Sequence, residues 1–217
     1  MRYVLLFIVL MLISGCATAP KSTNLMTHPK LEVIQNERSF NIPYDEVWQY
    51  LVSSLSKSFF VINNISKESN FISVSFSAQD AENYVDCGTR TTTYEGNTNT
   101  YEVAGTGFFK IARQAGSNAF YVDNIKSDAE LEGRINVYVA PLEHGAKVSV
   151  NVKYIVTVSF SGTTETFAGA LLVSHGTQEF QFSSKVSFNT NQKGEEGKTT
   201  CVSNGRLETM ILDMVQE

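Results

Sequence analysis

The chain has 217 residues, with 17 Lys and Arg against 22 Asp and Glu, a formal net charge of −5. No Lys/Arg cluster interrupts that balance, which excludes a phosphate-backbone footprint and with it nucleic acid as a partner. The length suffices to bury a core in one domain or two small ones, and sparse charge with abundant Ser, Thr and Asn favours strands with polar outer faces over a helical bundle.

The chain opens on Arg2 and an apolar run from Val4 to Ile13, followed by Ser14, Gly15 and Cys16. A basic start, an apolar middle too short to span a bilayer and small residues beyond it make a secretory signal. An ordinary signal with a chance cysteine and a retained membrane helix are the rival readings. The run is only about half a bilayer thick, which disfavours the second. The Leu12-Ile13-Ser14-Gly15-Cys16 stretch resembles the lipobox of bacterial lipoproteins. That resemblance implies a signal peptide over residues 1–15, diacylglycerol on the Cys16 thiol, and acylation of its new amino group. Ala17, where Asp would retain such a protein in the inner membrane, implies the outer membrane, with the body in the periplasm. Each buried methylene is worth about 0.8 kcal/mol, so several acyl chains hold a protein stably on the membrane.

Residues 16–31 read as the lipidated cysteine and a flexible tether, polar and broken by Pro20 and Pro29. His28 reads there as solvated. Residues 32–217 read as a single α+β periplasmic domain. A strand is expected from Glu32 to about Asn41. A helix follows, with Pro43, Asp45 and Glu46 in its first turn and Val47, Trp48, Leu51, Val52 and Leu55 on one face. Phe59–Ile65 and the alternating Ile72, Val74 and Phe76 form a hairpin about Ser66–Asn70. Thr89–Thr100 reads as an exposed hairpin tip or loop, and Phe108, Phe109 and Ile111 as a short strand or helix.

From Glu130 the period-two pattern is strong. Leu131, Ile135, Val137 and Val139 share a face, Pro141–Gly145 turns the chain, and alternate residues from Val148 to Phe160 are apolar. That second run predicts a strand of about 45 Å in a curved sheet. Phe180, Phe182, Val186 and Phe188 mark a third strand. Phe167–Val173 reads as a buried helix or strand, with a surface patch touching lipid or a partner as the less favoured alternative, and Asn189–Thr199 reads as a loop. Leu207, Met210, Ile211 and Met214 give a terminal helix one apolar face, capped by Ser203 or Asn204. The expected fold class is α+β, a curved antiparallel sheet packed on an N-terminal and a C-terminal helix, helix-grip-like.

Cys87 and Cys201 remain when Cys16 is acylated. An oxidising compartment lets them pair as a disulfide. Two free thiols or a metal site are the alternatives, but two isolated cysteines without a nearby histidine are poor zinc ligands. Trp48, Tyr94 and Tyr101 are candidate contacts for a ligand or partner, with burial in the core or half-burial in strands as the competing reading.

The lipobox, the tether and the segment NIPYDEVWQYLVSSL…FFVINNISKESNFISVSF together resemble the BamC helix-grip lipoproteins of the β-barrel assembly machinery. The resemblance covers the anchor and roughly residues 41–76. It implies a place in an envelope assembly and carries over no functional residue.

No catalytic motif emerges. His28, His144 and His175 belong to no metal-ligand pattern, and no G-x-S-x-G elbow is present. Gly105-Thr106-Gly107 reads as a turn. The pairs Asp80 with Glu82 and Glu195 with Glu196 read as solvated charge. The expectation is a non-enzymatic interaction module without metal or cofactor, held to the membrane by its N-terminal lipid and partnered by an envelope protein. The alternative is a carrier or sensor of a small hydrophobic ligand, which requires an enclosed cavity lined by residues such as Trp48, Phe76, Val150 and Phe182.

Overall fold

The computed structural model describes residues 22–115, 119–166, 169, 171–189 and 199–216. The lipobox, Cys16, residues 167, 168 and 170 of the apolar run, and residues 190–198 of the expected loop lie outside the described residues.

The molecule is built on one long hairpin. β9 (Ala119–Leu142) and β10 (Gly145–Thr166) pair in continuous antiparallel register from Gly145 opposite Leu142 to Thr166 opposite Tyr121. Their turn is Glu143 and His144. Gly145 follows it at φ +102°, and a Cβ there would strike the Phe40 carbonyl oxygen, so glycine is required. At about 3.4 Å per residue the strands would measure roughly 75–80 Å if straight, well beyond the 45 Å expected. Buried residues alternate along both: Leu131, Ile135, Val137 and Val139 on β9, and every even position from Ala146 to Val158 on β10.

Shorter strands line the two edges of this ribbon. Along β10 lie β2 (Glu37–Phe40), near the turn, and β11 (Leu171–Ser183), farther out. Along β9 lie β4 (Phe71–Ala78), near the turn, and β8 (Gly107–Ala115), farther out. β3 (Val61–Ser66) closes the sheet beyond β4. A small sheet joins β1 (Ser22–Thr27), β6 (Thr89–Tyr94) and β7 (Asn97–Glu102), and packs on β8. A third joins β5 (Val85–Asp86), β12 (Phe188–Asn189) and β13 (Thr200–Ser203).

The α+β expectation is overturned. Strands make up 61% of the structure and helices 13%. The two α-helices among the described residues are α1 (Tyr44–Ser56) and α2 (Arg206–Leu212). α1 packs on β9 and β10, and α2 packs on β10, but the outer half of the hairpin is covered by strands instead. The physical reason lies in polar strands that carry little apolar alternation. Ser22–Thr27, read as tether, pairs with β6 over its whole length. β6 and β7 are held by hydroxyl pairs across the strands, Thr91 with Thr100 at 2.9 Å and Thr93 with Thr98 at 3.0 Å.

The core is one contiguous cluster. It joins Val47, Trp48, Leu51 and Leu55 of α1 to the inner faces of β4, β9, β10 and β11, and to Leu207, Ile211 and Leu212 of α2. At one end, the Tyr154 hydroxyl donates to the Glu208 carboxylate oxygens at 2.8 and 2.9 Å and lies 2.9 Å from the Ser203 hydroxyl. All three residues are buried. This polar knot fastens α2 to the central strand. The Arg38–Asp213 ion pair, at 2.8 Å, lies at the surface with its side chains 31% and 58% exposed. Asp213→Asn is therefore expected to change unfolding free energy by less than about 1 kcal/mol in urea titration.

Candidate functional site

The structure scatters the residues singled out from the sequence. Cys87 and Cys201 form a disulfide, S–S 2.04 Å, and both are buried. Trp48 is 7% exposed and stacks near Tyr44, centroids 6.2 Å apart. It is a core residue and is not offered to a partner. Tyr101 lies over Gly107 and stacks on Phe109 at 4.4 Å with an interplanar angle of 6°. A Cβ on residue 107 would meet that ring at 2.9 Å, so glycine makes the seat for it. Burial pushes the Tyr101 phenol up to about 12. Its job is to hold the small sheet on the outer half of the hairpin. Tyr101→Leu is expected to cost about 1–2 kcal/mol of stability, read by thermal unfolding.

Tyr94 alone of the three lies on an open surface. It stands at the tip of the β6–β7 hairpin, beside a groove of about 880 Å³. One wall is the hairpin, with Tyr94 and Asn97. The opposite side carries Phe108, Ile125, Gly162 and Val173. Phe108 is 65% exposed, and its ring has the Lys126 ammonium 5.9 Å from its centroid. Phe108→Ser is expected to change stability by no more than about 0.5 kcal/mol, measured in urea.

A second groove brings Glu82, Asp86 and Glu102 together with His28. Burial, and then the charges of Asp86 and Glu82, raise the Glu102 carboxyl above its ordinary value. His28, read as solvated, has its Nδ1 buried without a hydrogen-bond partner. Among the described residues no group of three or more His, Cys, Asp or Glu is placed to hold a metal ion.

Trp48, Phe76, Val150 and Phe182, the lining required of an enclosed apolar cavity, all belong to the packed core, none more than 8% exposed. Their side chains fill the space between helix and sheet.

Among the described residues, one edge of the large sheet is largely open. The sheet has four outer strands among those residues, and three are protected. β2 is only four residues long and carries Glu37, paired with Lys147, and Arg38, paired with Asp213. β3 is six residues long with an irregularity in register between Ile62 and Asn64. On β8, the Phe108 carbonyl accepts from the Asn99 side chain and the Ala112 N–H donates to the Ser22 hydroxyl at 3.3 Å. β11 differs. It runs for 13 residues, pairs among the described strands with β10 alone apart from a backbone bridge of its last residue Ser183 to Val186, and contains no proline or lysine. Leu171, Leu172 and Val173 at its start are 59%, 57% and 67% exposed, which overturns their expected burial. The only ionisable side chains on it are His175 and Glu179. Natural edge strands are normally shortened, bulged, charged or covered, because a free ladder templates pairing with another chain.

No protein-family model, curated protein or solved structure matches the chain. Among the described residues no helix is long and apolar enough to cross a membrane.

Proposed function

We propose that this chain is an outer-membrane-anchored periplasmic lipoprotein that acts as a non-enzymatic interaction module in an envelope assembly, in the manner of the BamC lipoproteins that residues 41–76 resemble. The lipobox and Ala17 support the anchor and its membrane. The observation that carries the interaction role is the edge of β11, which no described strand pairs from Leu171 to Phe182, with its exposed Leu171–Val173 start. Backbone pairing along such an edge supplies affinity, and alternate side chains supply specificity. The filled core favours this reading over carriage of a hydrophobic ligand.

Two measurements test it. Cys16→Ser is expected to move the protein from the membrane to the soluble periplasmic fraction and to abolish labelling by radioactive palmitate. Persistent membrane retention without label would defeat the lipid anchor. A photo-crosslinking residue at Thr177, activated in intact cells, is expected to give discrete protein adducts. The same residue at Lys57, at the end of α1, is expected to give none. Equal smears from both positions, or no adduct from Thr177, would defeat β11 as the docking edge.

A further inference from the structure

We propose that the occupant of the β11 edge is a second copy of this chain, paired antiparallel about a two-fold axis through Thr177. The inference rests on β11 being the docking edge and names the partner.

The faces of β11 fix what is allowed. Phe180 and Phe182 are buried, so even-numbered residues face the core and odd-numbered residues face outward. A two-fold axis perpendicular to the sheet joins core face to core face, and this requires the axis to pass through a residue, not between two. A shift of one residue in the pairing would set inner side chains against outer ones.

Among such axes, the one through Thr177 pairs the open part of the ladder, from Val173 opposite the second copy's Gln181 to Gln181 opposite its Val173, and stops short of Ser183, whose N–H and C=O are bonded to Val186. It also makes the side chains of the seam complementary. His175 falls opposite the second copy's Glu179, and Glu179 opposite the second copy's His175. These two are the only ionisable groups of the strand, and the contact is made twice. Glu179 accepts one hydrogen bond from the Gln181 side-chain nitrogen at 2.5 Å, which leaves carboxylate lone pairs for an imidazole N–H. On the core face, exposed Leu172 falls opposite the second copy's Phe182, so the apolar surface of each subunit continues into the other. Moving the axis to Gly176 instead sets Val173 opposite Glu179 and His175 opposite Thr177, and both matches are lost.

A closed two-fold interface also answers the hazard of the free edge. An isologous pair consumes both edges and leaves none to propagate. The result is one sheet running through two long hairpins.

The test uses the full-length acylated chain in detergent. Thr177→Cys under mild oxidation is expected to give a covalent dimer as the main species, because the two copies of residue 177 meet at the axis. Ser174→Cys is expected to stay unlinked, its copies lying roughly 20 Å apart along the seam. Val173→Cys mixed with Gln181→Cys is expected to link across chains, with the joined peptides identified by mass spectrometry. Glu179→Lys is expected to raise the dimer dissociation constant roughly tenfold, by sedimentation. A protein that sediments as a monomer and shows no link at position 177 overturns the second copy. So does linkage of equal yield at 174 and 177. If Thr177→Cys in cells links to a different envelope protein, the second copy is overturned while the docking edge stands. If it links to nothing, both fall.

Discussion

Removal of the Cys87–Cys201 bridge, by Cys87→Ala with Cys201→Ala, is expected to lower stability by about 4–5 kcal/mol. The bridge spans a sequence separation of 114, and in the chain-entropy description a loop of that size costs the oxidised unfolded chain about this much freedom. For a domain of this size the midpoint of thermal unfolding should fall by roughly 10–15 °C. The effect should be local before it is global. Cys201 lies in β13, which pairs with β5 and β12 through only two residues each, and α2 follows at once. Without the bridge, hydrogen exchange should accelerate first in residues 200–216 and 85–87, while β9 and β10 near their turn stay protected. Calorimetry with and without reductant checks the magnitude. An unchanged midpoint would contradict the assignment of this bridge as the staple of the last helix.

The second large effect is expected at Tyr154. Its hydroxyl donates to Glu208, which is otherwise bonded in the buried knot only by Ser203 at 3.2 Å. Tyr154→Phe removes that donor and leaves the carboxyl buried with a single hydroxyl partner, at a cost of about 2–3 kcal/mol. The ring itself, stacked on Phe182 at 5.1 Å, stays in place, so the loss isolates the hydroxyl. Burial first, and then the Glu208 charge, push the Tyr154 phenol far up from its ordinary value of 10.0. The folded state therefore holds this proton more tightly than the unfolded state does. The stabilisation is fully present below pH 10 and declines as pH rises above it, by about 1.4 kcal/mol per pH unit for each such group. Tyr101, raised to about 12, adds to the same alkaline limb between pH 10 and its own titration. Denaturant titrations from pH 8 to 11.5 should show the decline in the wild type and a shallower one in Tyr154→Phe. Parallel curves for the two proteins would contradict a protonated, buried Tyr154.

Some of this architecture was legible because period and burial agree. On β10 each even-numbered residue from Val148 to Phe160 is apolar, and each is buried or half-buried in the sheet. The helix from Tyr44 follows from the spacing of Val47, Leu51 and Leu55, all buried. The turn at Glu143 and His144 follows from Pro141 and Gly145. The Cys87–Cys201 pairing followed from elimination, once Cys16 was given to the lipid.

The small sheet was not legible. Ser22–Thr27 and Thr89–Glu102 carry hydroxyls and amides where an apolar face would announce a strand, and their pairing is satisfied through cross-strand hydroxyl contacts. The α+β expectation counts Ser22–Thr27 as tether and Thr89–Thr100 only as a hairpin tip or loop, so the hairpin is foreseen there but not the sheet it forms with β1. The candidate site was misjudged for the opposite reason. Apolar Leu171–Val173 suggested burial, yet these residues form part of an open edge. Trp48 and Tyr101 are aromatic and conspicuous, and both are used for packing. What marks β11 is the lack of a lysine, a proline or a bulge on an outer strand, and that becomes readable only once the strand order is known.

The most direct test of this account is hydrogen exchange along β11 in the full-length protein as it is diluted from about 100 μM to about 0.1 μM. Protection of the outward-facing odd-numbered amides from Val173 to Gln181 is expected at high concentration and its loss on dilution, with the even-numbered amides bonded to β10, β3 and the turn of the central hairpin unchanged. Rapid exchange of those odd-numbered amides at every concentration, or a concentration-dependent change at β3 instead, would contradict the two-fold pairing.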